Sequence, residues 1–375
     1  MTKVDDGKKK KSLWYSVTHQ EELDKEGYLK LIRSVSIFVA AALIVSALVF
    51  VVIAFAGGIS KVVHVILSAD IYVYLLAIIS VFAGYMLRYV KWAYYIKRLG
   101  LKVSTWKNLA VYLSLYSMDI TPGKFGRVLA AYTLNRITKI KFMNIVPIVT
   151  MDIFSDFLGT AVVALGAALY FHQYVIYIIA IDIVLLLPFA FILNKWLFNR
   201  FKLLLGKYNF IEKFTIYGEE YYASQSVLNS PKVYAVSIIF TIPASVLNAM
   251  ALYFTIAALG FHITAAASMF TFASTQLFGM VSAVPGNIGV TDGTLTAILS
   301  SSLKLPADIS SAATILVRIA TMWFGVALGS VFLFYTLRFW NMYHKKSVAL
   351  GTSRRAPKRK AKRKGRNRNK TSKSK

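Results

Sequence analysis

Residues 106–126 read WKNLAVYLSLYSMDITPGKFG, and residues 265–289 read AAASMFTFASTQLFGMVSAVPGNIG. Each is an apolar helical run that stops at a Pro-Gly pair, Pro122-Gly123 in the first and Pro285-Gly286 in the second. Proline lacks the N–H that would continue the helix, and glycine readily takes the turn that ends it. In water such a stop is ordinary. Among spans long enough to cross a bilayer it falls where no water answers the freed backbone groups. Both runs are therefore expected to dip into the membrane and return as re-entrant helix-break-helix segments, each break lining a cavity.

The surrounding chain sets that membrane context. Of 375 residues, 57% are hydrophobic, yet 44 Lys and Arg stand against 16 Asp and Glu. Apolar spans run over Val35–Ala56, Ile71–Val90, Phe142–Phe171, Val175–Leu193, Val233–Leu259 and Ile309–Leu337. Each has the roughly 20 residues that a bilayer crossing needs. The expected fold is an all-α polytopic membrane protein with six full transmembrane helices, and an ordinary soluble domain is excluded. Three regions are expected: a polar N-terminal segment (1–34), a transmembrane domain (35–337) and a basic tail (338–375). The first is too long and too acidic, with Glu21, Glu22, Asp24 and Glu26, for the leading region of a cleaved signal peptide. From Arg338 to Lys375 there are 16 Lys and Arg and no acid, a composition that cannot bury a core. Attached to a final span, it is expected to lie on anionic headgroups; a nucleic-acid partner is the weaker reading.

Loop charge sets the orientation. Lys and Arg crowd Lys91–Lys107, Lys124–Lys141 and Lys195–Lys213, while the connections near His172, His262 and Leu305 carry almost none. The positive-inside rule makes the first group cytoplasmic. That holds only if the run ending at Ile120 returns instead of crossing, which again calls for a re-entrant segment and leaves both termini in the cytoplasm. The two breaks share a PGxxG pattern 163 positions apart, with three full spans between them. An odd number of crossings makes the two segments enter from opposite faces. The unit Ile71–Phe171 is then expected to repeat, inverted, as Val233–Leu337.

Charges inside such a bundle are costly, and functional by default. After each Pro-Gly a short helix restarts (Phe125–Leu134 and Val290–Ser300), and its N-terminal N–H groups favour an anion. Lys124 and Arg127 stand there, with Gly123 and Gly126 permitting close backbone approach, so a phosphate site is expected. Asp152 and Asp156 share one face of their helix, and Arg318 lies 33 residues after Pro285 as Ser155 lies 33 after Pro122. An Asp–Arg pair between these segments is expected at the bundle centre. Arg88, with Lys91 and Trp92, ends the second span, where a basic and aromatic headgroup belt is normal. Asp119 and Asp292 flank the breaks as candidate caps, and Asp182 is without explanation. The candidate substrate-binding residues are Arg88, Pro122, Gly123, Lys124, Gly126, Arg127, Asp152, Asp156, Pro285, Gly286, Asn287, Gly289, Asp292 and Arg318.

Catalytic signatures are absent. There is no cysteine, no HExxH, DxD, GxSxG or P-loop, and the five histidines are scattered. No catalytic residue, metal site or cofactor is assigned.

The succession YMLRYVKW (85–92), SMDITPGKFGRVLAAYTLNR (117–136), MDIFSDFLG (151–159), VPGNIGVTDG (284–293) and RIATMWFG (318–325) resembles the transmembrane region of lysylphosphatidylglycerol synthase, the flippase-like membrane proteins. The resemblance covers roughly residues 30 to 340. It implies movement of lipid between leaflets, without the fused aminoacyltransferase domain, for which the 38 residues after the last span leave no room. Where the family has a Glu-Arg pair before the Asp, this chain reads Thr150-Met151-Asp152, and Asp292 stands where a Glu is common. The expected function is a translocator of an anionic lipid or a polyisoprenyl-phosphate-linked lipid in the plasma membrane. The alternatives are a membrane-embedded transferase acting on a lipid phosphate and a small-solute transporter; assembly as a homo-oligomer is left open.

Overall fold

A computed structural model describes residues 25–205, 209–282 and 284–336. The basic tail and most of the polar N-terminal segment lie outside the described residues. Within them the chain is helical, with no strand. In order the helices are α1 (Lys25–Gly57), α2 (Ile59–Leu67), α3 (Ile71–Arg98), α4 (Thr105–Ser114), α5 (Val128–Thr138), α6 (Phe142–Ala168), α7 (Val175–Leu193), α8 (Lys195–Leu205), α9 (Asn209–Leu228), α10 (Pro231–Ala258), α11 (Ala265–Ser282), α12 (Val290–Ala297) and α13 (Ala307–Arg318).

Among the described residues six helices are long and apolar enough to cross a membrane: Val39–Gly57, Ile71–Arg98, Phe142–Ala168, His172–Leu193, Pro231–Ala258 and Ala307–Thr336. They match the six expected spans, and the last continues α13 through a π turn at Ile319–Trp323. Among the six, Phe142–Ala168 is the most enclosed and His172–Leu193 the least. Leu48, Val52, Phe55, Ile176 and Ile183 point outward, as side chains solvated by lipid do.

Local sequence explains where the helices start and how closely they pack. Asp70 caps α3 by accepting from the Tyr72 and Val73 N–H groups at 2.8 and 3.2 Å, and its own N–H donates to the Ala258 carbonyl at 2.8 Å. One residue thus ties the start of α3 to the end of α10. These two helices then pack along their length, with Gly84 so close that a Cβ there would lie 3.0 Å from the Ala244 carbonyl oxygen. Small residues at such crossings are how membrane helices gain contact when lipid is as apolar as they are.

The two broken stretches take the interior. Helix α4 passes into a 3-10 turn at Leu115–Met118, and a second 3-10 turn covers Pro122–Arg127 before α5. Helix α11 ends at Ser282, a short turn covers Pro285–Asn287, and α12 runs into a π turn at Ile298–Ser302. The restarting helices therefore differ from the expected ones: the first is a 3-10 turn until Val128, and the second is α-helical only to Ala297. Helices α2 and α9 were not anticipated, because α2 is short and α9 too polar to read as a span. Helix α9 packs on α6, burying Tyr221, Gln225 and Leu228, and Glu220 pairs with Lys141.

Gly329, in the last span, presses on the first break: a Cβ there would clash with the Ser117 backbone N and lie 3.1 Å from the Leu113 carbonyl oxygen. Backbone cannot yield as a side-chain tip can. Gly329→Val is expected to lower the thermal transition of purified protein by several degrees. Gly166→Ala, at a site with nothing within 4 Å, should leave it unchanged; equal transitions for the two variants would refute this packing.

Candidate functional site

Helix periodicity assembles the site. On α3, Tyr85, Arg88, Lys91, Trp92 and Tyr95 recur at three- and four-residue spacing and share one buried face. On α6, Asp152, Ser155 and Asp156 do the same. The first break brings Asp119 and Arg127 against them.

Lys91 Nζ lies 2.6 Å from Asp156 Oδ1 and 3.3 Å from Asp152 Oδ1, and donates to Ser155 Oγ at 2.6 Å. Arg88 Nε donates to Asp156 Oδ1 at 3.1 Å, and Arg88 Nη2 to Ser245 Oγ on α10 at 3.2 Å. Arg127 holds Asp119 with two parallel bonds of 2.5 and 2.7 Å, and its Nη1 donates to Asp152 Oδ2 at 2.9 Å and Asp156 Oδ2 at 3.2 Å. Lys91 is fully buried and Arg127 only 2% exposed. Three cations thus meet three carboxylates with little access to water, Asp119 being the most exposed of the six, and neither set could be buried without the other. Tyr116 stacks on Tyr85, ring centroids 3.9 Å apart, and the Arg127 guanidinium sits over the Tyr116 ring at 5.5 Å.

The second break has its own buried pair. Arg318 Nε lies 2.7 Å from Asp292 Oδ1, and Arg318 Nη2 donates to the Gly286 carbonyl at 3.1 Å. Asp292 Oδ2 accepts from the Gly289 N–H at 2.7 Å. One ion pair therefore answers both a carbonyl and an N–H that the interrupted helix leaves open.

A cavity of about 130 Å3 lies between the breaks, bounded on one side by Asp119, Lys124 and Arg127 and on the other by Gly286, Asn287 and Arg318, with Tyr85, Arg88 and Asp156 in its wall. A second cavity of about 160 Å3 shares Asp119, Lys124, Met280 and Asn287 with the first and is otherwise walled largely by Ile153, Phe157, Leu185 and Phe189.

Of the residues expected from sequence, Arg88, Lys124, Arg127, Asp156, Gly286, Asn287 and Arg318 line the first cavity. Asp152 and Asp292 stand one bond behind it. Gly126, Pro285 and Gly289 do not line either cavity; Gly126 instead donates its N–H to Thr121 Oγ1 at 2.8 Å. The surroundings of Pro122 and Gly123 lie outside what is described at those residues.

Several readings need correction. The expected pairing of Asp152 or Asp156 with Arg318 does not occur: the acids take Lys91, Arg88 and Arg127, and Arg318 takes Asp292. Arg88, Lys91 and Trp92 are no headgroup belt; all three are buried, and Trp92 Nε1 donates to Asn108 Oδ1 at 2.9 Å. The belt reading failed because it used distance from the span's end and ignored the shared face with Tyr85 and Tyr95. Asp119 stands at the C-terminal cap of the 3-10 turn Leu115–Met118, its N–H donating to the Tyr116 carbonyl at 3.3 Å, while its carboxylate grips Arg127; the Asp292 carboxylate caps the start of α12. Arg127 spends its guanidinium on three carboxylates, so of the cations lining the cavity Lys124 is the one that no carboxylate pairs with among the described residues. Asp182 is buried, and its Oδ1 has no hydrogen-bond partner among the described residues.

Removing one carboxylate from this cluster strands the cations around it, which typically costs about 3–5 kcal/mol. Asp156→Ala is expected to lower thermal stability strongly, and Arg88→Met added to it should recover part of the loss. A double variant less stable than the single one would show that the cluster is not balanced as described.

No curated protein matches the chain. The family model described as "Lysylphosphatidylglycerol synthase TM region" matches residues 37–329, a range that contains the six crossing helices almost whole and both breaks. By that match and those helices the chain is a multi-pass integral membrane protein related to lipid handling, and it belongs to the lysylphosphatidylglycerol synthase transmembrane-region family.

Proposed function

We propose that the chain is a flippase-like translocator of an anionic lipid, whose headgroup enters the cavity between the two Pro-Gly breaks. The observation that carries this reading is Lys124. Its neighbours Arg88 and Arg127 are bound to carboxylates, but no carboxylate among the described residues pairs with Lys124, which faces both cavities. An uncompensated ammonium inside a membrane domain calls for an anion. The transferase alternative needs a carboxylate free to take a proton, and the four at this site each engage a cation.

The breaks act as re-entrant segments from opposite faces, and the halves Ile71–Phe171 and Val233–Leu337 form an inverted repeat. The matching placement of Lys124 and Asn287, each third in its PGxxG, supports this: both have left-handed backbone, φ 58° and 56°. Both termini lie in the cytoplasm of a plasma-membrane protein, with the basic tail on anionic headgroups. Arg88, Lys124, Arg127, Asp156, Asn287 and Arg318 form the substrate site.

Two experiments test this. In reconstituted vesicles, labelled anionic lipid is expected to cross between leaflets at least about tenfold faster with the wild type than with Lys124→Ala, the factor expected from losing about 1.4 kcal/mol of binding. Equal rates, both matching empty vesicles, would refute it. The chain has no cysteine, so single cysteines report sidedness to an impermeant thiol reagent. Those beside Lys139 should be protected in intact cells and those at His172 and His262 should react; labelling beside Lys139 would mean that 106–120 crosses completely.

A further inference from the structure

The two cavities differ in chemistry and share four residues, Asp119, Lys124, Met280 and Asn287, of which Asp119 is already held by Arg127. The first is bounded by charged groups of both breaks. The second is closed by Ile153 and Phe157 of α6 and Leu185 and Phe189 of α7, with Met280 of α11. Lys124 and Asn287 line both. Neither side chain has a hydrogen-bond or ion-pair partner among the described residues, although nearly every other charged group at the site has one. Each is also held at positive φ, 58° and 56°, a conformation that is costly for a lysine and tolerated by asparagine. The fold therefore sets an ammonium and an amide, both unspent, at the seam between a polar and an apolar chamber. In a phospholipid the anionic group nearest the junction of polar head and hydrocarbon is the phosphate ester.

Charge fixes the valence of that group. At the two breaks and the wall between them the cations are Arg88, Lys91, Lys124, Arg127 and Arg318, and the carboxylates are Asp119, Asp152, Asp156 and Asp292. Five against four leaves one positive charge, and it resides on Lys124. One added negative charge neutralises the site. A neutral ligand leaves the ammonium uncompensated, and a multiply charged one brings excess anion into a low-dielectric enclosure.

We infer that the substrate is a lipid phosphodiester with a single net negative charge, its phosphate gripped by Lys124 and Asn287, its head in the first cavity and a hydrocarbon chain in the second. This inference rests on the translocator reading and narrows it to one valence.

The test compares acyl-labelled phosphatidylinositol, phosphatidylinositol phosphate and phosphatidylcholine in vesicles carrying the full chain. The second adds one phosphomonoester, and so charge and bulk, to the first, and the third has no net charge; phosphatidylglycerol, with a smaller head and the same single charge as phosphatidylinositol, separates the two and should cross as fast as phosphatidylinositol. Phosphatidylinositol should cross about tenfold faster than phosphatidylinositol phosphate or phosphatidylcholine, the ratio that a loss of about 1.4 kcal/mol gives. Lys124→Gln should erase its advantage over phosphatidylcholine, whereas Lys124→Arg should keep it. If phosphatidylinositol phosphate crosses as fast as phosphatidylinositol, or the Lys124→Gln variant keeps the preference, the valence inference falls while translocation stands. If no lipid moves faster than in empty vesicles, the translocator reading fails and this inference goes with it.

Discussion

The structure depends on a set of charges that cannot be separated. Lys91, Arg88 and Arg127 meet Asp119, Asp152 and Asp156 at 2.5 to 3.3 Å, in a region that water reaches poorly. Moving any one of these ions from water into such surroundings costs several kcal/mol, repaid only when its partners arrive in place. The cluster therefore specifies geometry. It requires α3 to present its Arg88 and Lys91 face to α6, and it requires the first break to bring Arg127 to that same point.

This requirement also explains how helices can stop in the interior. An interrupted helix leaves N–H and carbonyl groups whose neglect is expensive in hydrocarbon. The second break spends its ion pair on them, Arg318 on the Gly286 carbonyl and Asp292 on the Gly289 N–H. The first break uses Thr121, which accepts from the Gly126 N–H and donates to the Met118 carbonyl. With backbone and charges both answered, what stays unanswered at the seam of the two cavities is Lys124 and Asn287. Both sit in left-handed backbone, which is strained for the lysine, and strain of this kind concentrates where side-chain placement serves function.

Much of this was legible in the sequence because its signals are local. Length and apolarity gave the six crossing helices, and the two Pro-Gly pairs located the breaks that bound the cavity. The partners within the cavity were not legible. Spacing of 33 residues put Arg318 and the Asp152–Asp156 segment at related positions, and both do reach the first cavity through Arg318 and Asp156. Relatedness by repeat is not contact, though, and each found a nearer partner of opposite charge. Lys91 was misread for a different reason. A basic residue near the end of an apolar run looks interfacial until the helical face it shares with Tyr95 and Trp92 is weighed, and that face is wholly buried. Helix α9 escaped notice because its sequence is polar, and it is held by packing on α6 that no local pattern announces.

The central claim is that the gap between the two breaks is built for a lipid phosphate at Lys124. The most direct measurement is an experimental structure of the protein in a bilayer disc rich in an anionic phospholipid. The account predicts phosphate density within hydrogen-bond distance of Lys124 Nζ and Asn287, with hydrocarbon density running past Phe157 and Phe189. Lipid bound only to the outer faces of the bundle, with the gap closed by Lys124 turning onto Asp119, would contradict it.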